Sequence, residues 1–178
     1  MTTALKTLSQ RTKSIKLIGF DVDGIMTNGQ LYFSSRGEEM KSFHVRDGLG
    51  IKLLQRVGIE TCIITGRHSE IVNTRARELS ITHVFQGVDD KLACFEKLIT
   101  QLGLSWEECA YMGDDLQDLP ILKRSAVSLT VPEAPTLIRN QVDWIASVGG
   151  GEGAVRQAAE FLLSSRGQWQ EAVAPWLV

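Results

Sequence analysis

Five aspartates stand at the ends of apolar runs. Asp21 and Asp23 close the stretch IGFDVD, and Asp114, Asp115 and Asp118 follow CAYM in GDDLQD. A strand interior does not hold ionised carboxylates unpaired, because taking a bare charge out of water is costly. Carboxylates gathered on one rim repel unless a cation joins them. Hard oxygen ligands favour Mg2+, which keeps part of its water shell and commonly bridges to phosphate. Zinc lacks such support: His44, His68 and His83 are scattered. Cys62, Cys94 and Cys109 are widely spaced among apolar residues and read as buried reduced thiols. Aspartate also serves in turns and caps, and Asp118, inside a helical stretch, competes with a reading as part of a solvated face.

A second set of groups suits an anion. Thr65 and Gly66 end the apolar run ETCII just before a helix. A hydroxyl and backbone N–H groups at such a turn can cradle a phosphoryl group. Lys91 opens a helix and can place an ammonium on the same anion; standing alone it would be an ordinary surface lysine.

These residues need a frame that brings them together. Ile15–Phe20 reads as a strand. Short extended runs follow near Gln30–Phe33 and Met40–Val45, joined by a turn at Gly37. RDGLGIKLLQRVG has Leu49, Leu53, Leu54 and Val57 at helical spacing and stops at Gly58. ETCIIT, THVF, CAYMG, AVSLTV and DWIA are further strands. SEIVNTRARELS, DDKLACFEKLITQLG, a segment through Lys123, and EGAVRQAAEFLLSS are helices. SWEE has the form of a capping box at Ser105 and Glu108. Apolar strands alternating with helices predict an α/β fold: a Rossmann-like parallel sheet with helices on both faces. The aspartate and threonine clusters then converge at the carboxyl ends of the strands, where such sheets bind ligands.

The chain has 178 residues, 43% of them hydrophobic and 22% charged, with net charge −2. No linker, repeat or low-complexity tract divides it, so residues 1–178 read as one domain. No basic block recommends nucleic acid or an anionic membrane as a partner. MTTALKTLSQRTKS lacks the apolar core of a secretory signal, and no apolar run is long enough to span a bilayer. A cytoplasmic protein is the expectation.

DVDGIMT, IITGR, Lys91 and GDDLQD resemble, in order, the four motifs of the haloacid dehalogenase superfamily of phosphotransferases. VRDGLGIKLL, ITHVFQGVDDKL and GGGEGAVR resemble the branch that contains the 3-deoxy-D-manno-octulosonate 8-phosphate phosphatases, and the likeness runs from Ile15 to Leu163. The resemblance implies an aspartyl-phosphate mechanism in lipopolysaccharide precursor synthesis. It makes Asp21 the nucleophile and Asp23 the general acid, then base. It makes Mg2+ the cofactor, held by the carboxylates of Asp21 and Asp114 and the backbone carbonyl of Asp23. Thr65, Gly66 and Lys91 would bind phosphoryl oxygens, with Asp115 and Asp118 in support. Alternatives are a phosphatase of another small sugar or sugar-acid phosphate, and a non-catalytic module that keeps the fold for oligomerisation or regulation.

Against that resemblance, the spacing leaves no room for a cap domain. Asp23 and Thr65 are separated by a hairpin and one helix, and Thr65 and Lys91 by one helix and a short strand. The expected form is capless, with a β-hairpin flap at about residues 28–45 and a tail at about 166–178. In the resembling branch a homotetramer covers the site, the hairpin contributing contacts. A sugar-acid phosphate carries a carboxylate, which arginine pairs with in a planar fork. Arg67 follows the phosphate turn, and an acidic residue is expected there in related phosphatases of nine-carbon acids, so arginine favours the eight-carbon acid. Arg46 reads equally as a substrate ligand and as a surface residue at a helix start, with Arg75 weaker still. Asn28 stands where the branch commonly has Asp. Gly149, Gly150, Gly151 and Gly153 are expected to let backbone approach a ligand. The tail, with Trp169 and Trp176, is expected to dock near the active site of an adjacent protomer.

Overall fold

A computed structural model describes residues 7–37 and 39–177 of the chain. Met1–Lys6, Glu38 and Val178, at the ends of the N-terminal and tail segments and in the hairpin turn discussed above, lie outside the described residues.

Strand β1 (Leu17–Phe20) is buried along its whole length and pairs in parallel with β4 (Glu60–Ile64) on one side and β6 (Cys109–Met112) on the other. A strand covered on both faces has no polar alternation to keep, hence the run LIGF. The sheet is completed by β5 (His83–Phe85), β7 (Val127–Thr130) and β8 (Trp144–Ile145), in the order β5-β4-β1-β6-β7-β8, all pairs parallel. The chain moves outward from β1 to β4 and β5, then returns across β1 to β6 and moves outward the other way. Right-handed crossovers in opposite directions put helices on opposite faces. Accordingly α2 (Val45–Arg56) packs against α7 (Ala154–Ser165), while α4 (Lys91–Gln101) packs against α5 (Leu119–Arg124). The reversal of strand order leaves a crevice at the carboxyl end of β1, between Thr65 and Asp114.

Among the described residues, the connection from β1 to β4 holds only the hairpin β2 (Tyr32–Phe33) and β3 (Glu39–Met40) and the helix α2. The second extended run is shorter than its sequence suggests. His44 already serves as N-cap of α2, its Nδ1 accepting from Arg46 N–H at 3.2 Å, so Val45 begins a helix. Leu49, one of the apolar residues at helical spacing, is 40% exposed. The buried side of α2 is instead Asp47, Gly48, Gly50, Ile51, Leu53 and Leu54. Asp47 is buried because its Oδ1 accepts from Arg156 N–H at 2.8 Å, capping the start of α7 from a neighbouring helix. Cys62 and Cys109 are buried free thiols, and Cys94 is only half-buried.

Helix α3 (Glu70–Glu78) follows β4 as expected. Three short helices were not evident from periodicity: α1 (Leu8–Thr12), α6 (Thr136–Arg139) and α8 (Trp169–Val173). The first is built on a capping box between Thr7 and Gln10. The last, with the turn Ala174–Trp176, packs on α2 and α7 of its own chain, with Ala172 buried and Arg156 lying 5.8 Å over the Trp169 ring. Residues 169–176 therefore form part of the helical layer.

Candidate active site

Asp21 is the first residue beyond β1 and is 6% exposed. Lys91, at the start of α4, is 4% exposed and reaches Asp21 Oδ1 at 2.8 Å and Asp118 Oδ1 at 2.7 Å. The helix start is fixed by Asp90, whose Oδ1 accepts from Ala93 N–H at 2.9 Å. Burial pulls the Lys91 ammonium down, but the charges of Asp21 and Asp118 outweigh it and the net shift is upward. Lys91 is thus a buried cation held in place by two carboxylates.

Asp118 is not on a solvated face; it is 1% exposed. Its Oδ1 also accepts from the Tyr111 hydroxyl at 3.1 Å, and its Oδ2 accepts from the backbone N–H groups of Asp114 at 3.1 Å and Asp115 at 3.2 Å. Both oxygens are committed, so Asp118 shapes the turn after β6 and anchors Lys91. Burial, then Asp118, holds the Tyr111 phenol well above its ordinary pKa, which keeps it a donor. Asp115 is exposed at the cleft rim and accepts from Leu116 N–H at 2.7 Å.

Asp114 is different. Its Oδ1 is buried without a hydrogen-bond partner among the described residues. One carboxylate oxygen from each of Asp21, Asp114 and Asp118 lies within 4.8 Å of the others. Burial pushes Asp114 up to about 8, with Asp21 and Asp118 adding to the shift. Burial, then Asp118, pushes Asp21 up to about 7 against the opposing pull of Lys91. An orphaned buried oxygen beside a second carboxylate fits a hard divalent cation, and Asp21 and Asp114 have the donor atoms to hold one.

The backbone makes this approach feasible. At Gly24 (φ +102°) a Cβ would stand 2.2 Å from Asp114 Oδ2, so any side chain would evict the carboxylate. Gly150 lies against the same loop: its Cβ would meet Gly24 O at 1.8 Å and Thr27 O at 2.6 Å. Gly151 N–H donates to Ile25 O at 3.0 Å. Gly150 and Gly151 thus pack backbone to backbone on the loop after Asp23, while Gly149 lies against the Glu133 side chain. Asn28 acts as a turn residue there, its Oδ1 accepting from Gln30 N–H at 3.1 Å.

Across the cleft, Thr65 is 2% exposed, and its Oγ1 accepts from Arg67 N–H at 3.4 Å. Its own N–H donates to Phe85 O at 2.9 Å, which ties the turn to β5. Asp21, Asp23, Thr65, Gly66, Arg67, Lys91, Asp114, Asp115 and Asp118 all line one cleft of about 270 Å³. Arg46 does not. It is exposed on the first turn of α2, outside the lining, because Asp47 and Gly48 turn the buried side of that helix elsewhere.

Val88, Asp89 and Gln117 also line the cleft without having been singled out in sequence. Lys41, from the hairpin, reaches the same rim: its ammonium pairs with Asp23 Oδ1 and lies 3.3 Å from Glu39 Oε1. Arg67 completes the group, its Nε 3.7 Å from Asp23 Oδ2 and its Nη2 3.8 Å from Glu39 Oε1. The two-residue period of a strand places Glu39 and Lys41 on the face opposite Met40, and that alternation was the available signal.

The comparisons with known proteins agree with this geometry. The haloacid dehalogenase-like hydrolase model matches residues 45–125. The chain is 40% identical over 162 residues to the 3-deoxy-D-manno-octulosonate 8-phosphate phosphatase of Escherichia coli K12, covering 91% of this chain and 86% of that one. The Moraxella catarrhalis 3-deoxy-D-manno-octulosonate 8-phosphate phosphatase, solved with a magnesium ion, a phosphate ion and a KDO molecule, superposes with TM-score 0.92. It is 41% identical, over 95% of this chain and 97% of that one. The cobalt-bound Haemophilus influenzae enzyme is 40% identical with TM-score 0.86, over 89% and 92% of the two chains. With the aspartates, threonine and lysine gathered in one cleft on the same fold, the chain belongs to the 3-deoxy-D-manno-octulosonate 8-phosphate phosphatase family of haloacid dehalogenase-like hydrolases.

Proposed function

We propose that the protein is a Mg2+-dependent phosphatase that hydrolyses 3-deoxy-D-manno-octulosonate 8-phosphate to the free sugar acid and phosphate, in the supply of lipopolysaccharide precursor. The observation that carries this reading is the buried Asp21, with Lys91 on one side and the orphaned Asp114 oxygen on the other. The Moraxella catarrhalis relative, solved with magnesium, phosphate and KDO, supports it.

In this reading Mg2+ is held by the carboxylates of Asp21 and Asp114 and the backbone carbonyl of Asp23. The bound ion supplies the positive charge that lets an anionic nucleophile meet an anionic phosphate. Asp21 attacks phosphorus, forming an aspartyl phosphate as the ester P–O bond breaks. The departing sugar oxygen takes the proton of the Asp23 carboxyl. Asp23 then accepts a proton from water as that water's oxygen bonds to phosphorus, which frees phosphate and restores the Asp21 carboxylate. Thr65, Gly66 and Lys91 hold the transferring oxygens, and Asp118 holds Lys91. Arg67 stands at the rim, 44% exposed, where a guanidinium can meet the substrate carboxylate. Residues 1–178 act as one catalytic domain.

The hairpin presents Leu31, Tyr32, Phe33 and Met40 to solvent, with Val45 just beyond it, and we assign this apolar surface to contacts within a homotetramer. Free cysteines suit a cytoplasmic location. No helix among the described residues is long and apolar enough to cross a membrane.

A phosphate-release screen across sugar phosphates, with Mg2+ and with chelator, tests the reading. The expected result is Mg2+-dependent turnover with kcat/KM for the eight-carbon acid phosphate at least about tenfold above esters that lack a carboxylate. Equal turnover of all esters would overturn the substrate assignment, and no turnover of any would overturn the activity.

A further inference from the structure

One charged group inside the rim has no part in the mechanism above. The hairpin is an exposed element: Phe33 is 63% and Met40 65% exposed. Lys41 follows Met40 directly, yet its side chain is 1% exposed. Lysine is almost never so covered unless it is paired, because its ammonium loses strong hydration. Here the pairing is with Asp23 Oδ1, and Glu39 Oε1 lies 3.3 Å away as a second anionic neighbour. Arg67 Nε, at 3.7 Å, faces the other oxygen of Asp23. The Asp23 carboxylate is therefore fixed from two directions, by the hairpin through Lys41 and by the phosphate turn through Arg67. Arg67 is half-open to solvent and Lys41 is not, so Lys41 is the more rigid of the two restraints.

A carboxyl group that passes a proton to a departing oxygen must lie within hydrogen-bond reach of it. A displacement of about 1 Å can cost about a hundredfold. Asp23 follows the strand end by only three residues and sits in a loop, so its torsions need an outside restraint. We propose that Lys41 is a positioning residue of the phosphoryl-transfer reaction: by pinning one oxygen of Asp23 it aims the carboxyl at the ester oxygen that leaves. The hairpin thereby sets how well esters with poor leaving groups are cleaved. The inference rests on the reading of Asp23 as acid and base. In the step concerned, the bond from Asp21 oxygen to phosphorus forms, the ester P–O bond breaks, and the released oxygen carries away the Asp23 proton. A sugar alkoxide needs that proton; p-nitrophenolate leaves without it.

The test compares kcat and KM of the full-length parent, Lys41→Met, Lys41→Arg, Asp23→Asn and the double variant of Lys41→Met with Asp23→Asn on two Mg2+-supported reactions. One substrate is 3-deoxy-D-manno-octulosonate 8-phosphate and the other p-nitrophenyl phosphate. Lys41→Met is expected to lose about 30-fold in kcat/KM on the sugar ester and no more than about threefold on the aryl ester, because kcat/KM covers the steps through formation of the aspartyl phosphate and leaves out the water attack that Asp23 serves for both esters. Lys41→Arg is expected to recover part of the loss, and Lys41→Met added to Asp23→Asn to cost nothing further. Equal losses in kcat/KM on both esters, a sugar-ester loss confined to KM, or additive losses in the double variant would each overturn the proposal. Turnover of the aryl ester also reports that a variant is folded. Sugar-ester turnover by Asp23→Asn equal to that of the parent would overturn the acid–base reading of Asp23 itself. An impaired Asp23→Asn beside an unimpaired Lys41→Met would overturn the role of Lys41 alone.

Discussion

Asp21 and Asp114 keep their protons to about pH 7 and 8, whereas both start from an ordinary value of 3.8. In each case burial is the first cause, and the neighbouring carboxylates add to it. The sign of the linkage follows. Between the ordinary value and the raised ones the folded protein binds more protons than the unfolded chain. Without metal, stability therefore falls as pH rises through that window and levels off above it. A divalent cation binds the ionised pair and competes with those protons, so its stabilising effect runs the other way. The rise in Tm on adding Mg2+ is expected to be small near about pH 5 and largest above about pH 8. Thermal melts with and without Mg2+ across that range check this. An equal rise at both ends would mean that the ion binds elsewhere. At this scale the sequence was informative about residue type and less so about role. Asp118 was visible as a candidate, but its burial depends on Tyr111, two backbone N–H groups and Lys91, which come from β6, the turn after it and the start of α4. Arg46 had the right chemistry and the wrong face of its helix.

Among the elements, the one with least latitude is the glycine run between β8 and α7. It is pressed onto the loop that carries Asp23, with no space for a methyl group at Gly150 beside Gly24 O. Gly150→Ala is expected to force that loop outward, destabilising the fold by on the order of 3 kcal/mol, as overpacking against rigid backbone does. It should also lower turnover in the fraction that folds. Denaturant unfolding and kcat measure the two effects; an unchanged midpoint would show that the loop yields freely. The strands and the motif loops were legible because buried parallel strands are continuous apolar runs and catalytic turns interrupt them. The contact between two distant loops was not, since glycine spacing alone does not say which backbone it admits. Short helices such as α1 and α8 escaped for a related reason. They are too brief to show a period and owe their stability to caps and to tertiary packing.

At the scale of the whole molecule, a capless crevice 270 Å³ in size lies beside a hairpin whose outward side chains are apolar and whose inward lysine meets Asp23. If the outward face joins subunits, Met40→Lys is expected to lower the mass measured by light scattering while leaving the circular dichroism spectrum unchanged. A monomeric parent, or an unaltered mass in the variant, would remove the hairpin from the interface. The catalytic reading is tested most directly by one measurement, phosphate release from 3-deoxy-D-manno-octulosonate 8-phosphate by Asp21→Asn in saturating Mg2+. The substitution keeps the size of the side chain and removes the nucleophilic oxygen together with the charge that Lys91 and the divalent cation also face. The expected result is a folded protein whose turnover has fallen by more than about a thousandfold, beyond about 4 kcal/mol of barrier. Turnover within about tenfold of the parent, in a protein shown by mass spectrometry to remain the amide, would contradict attack by Asp21.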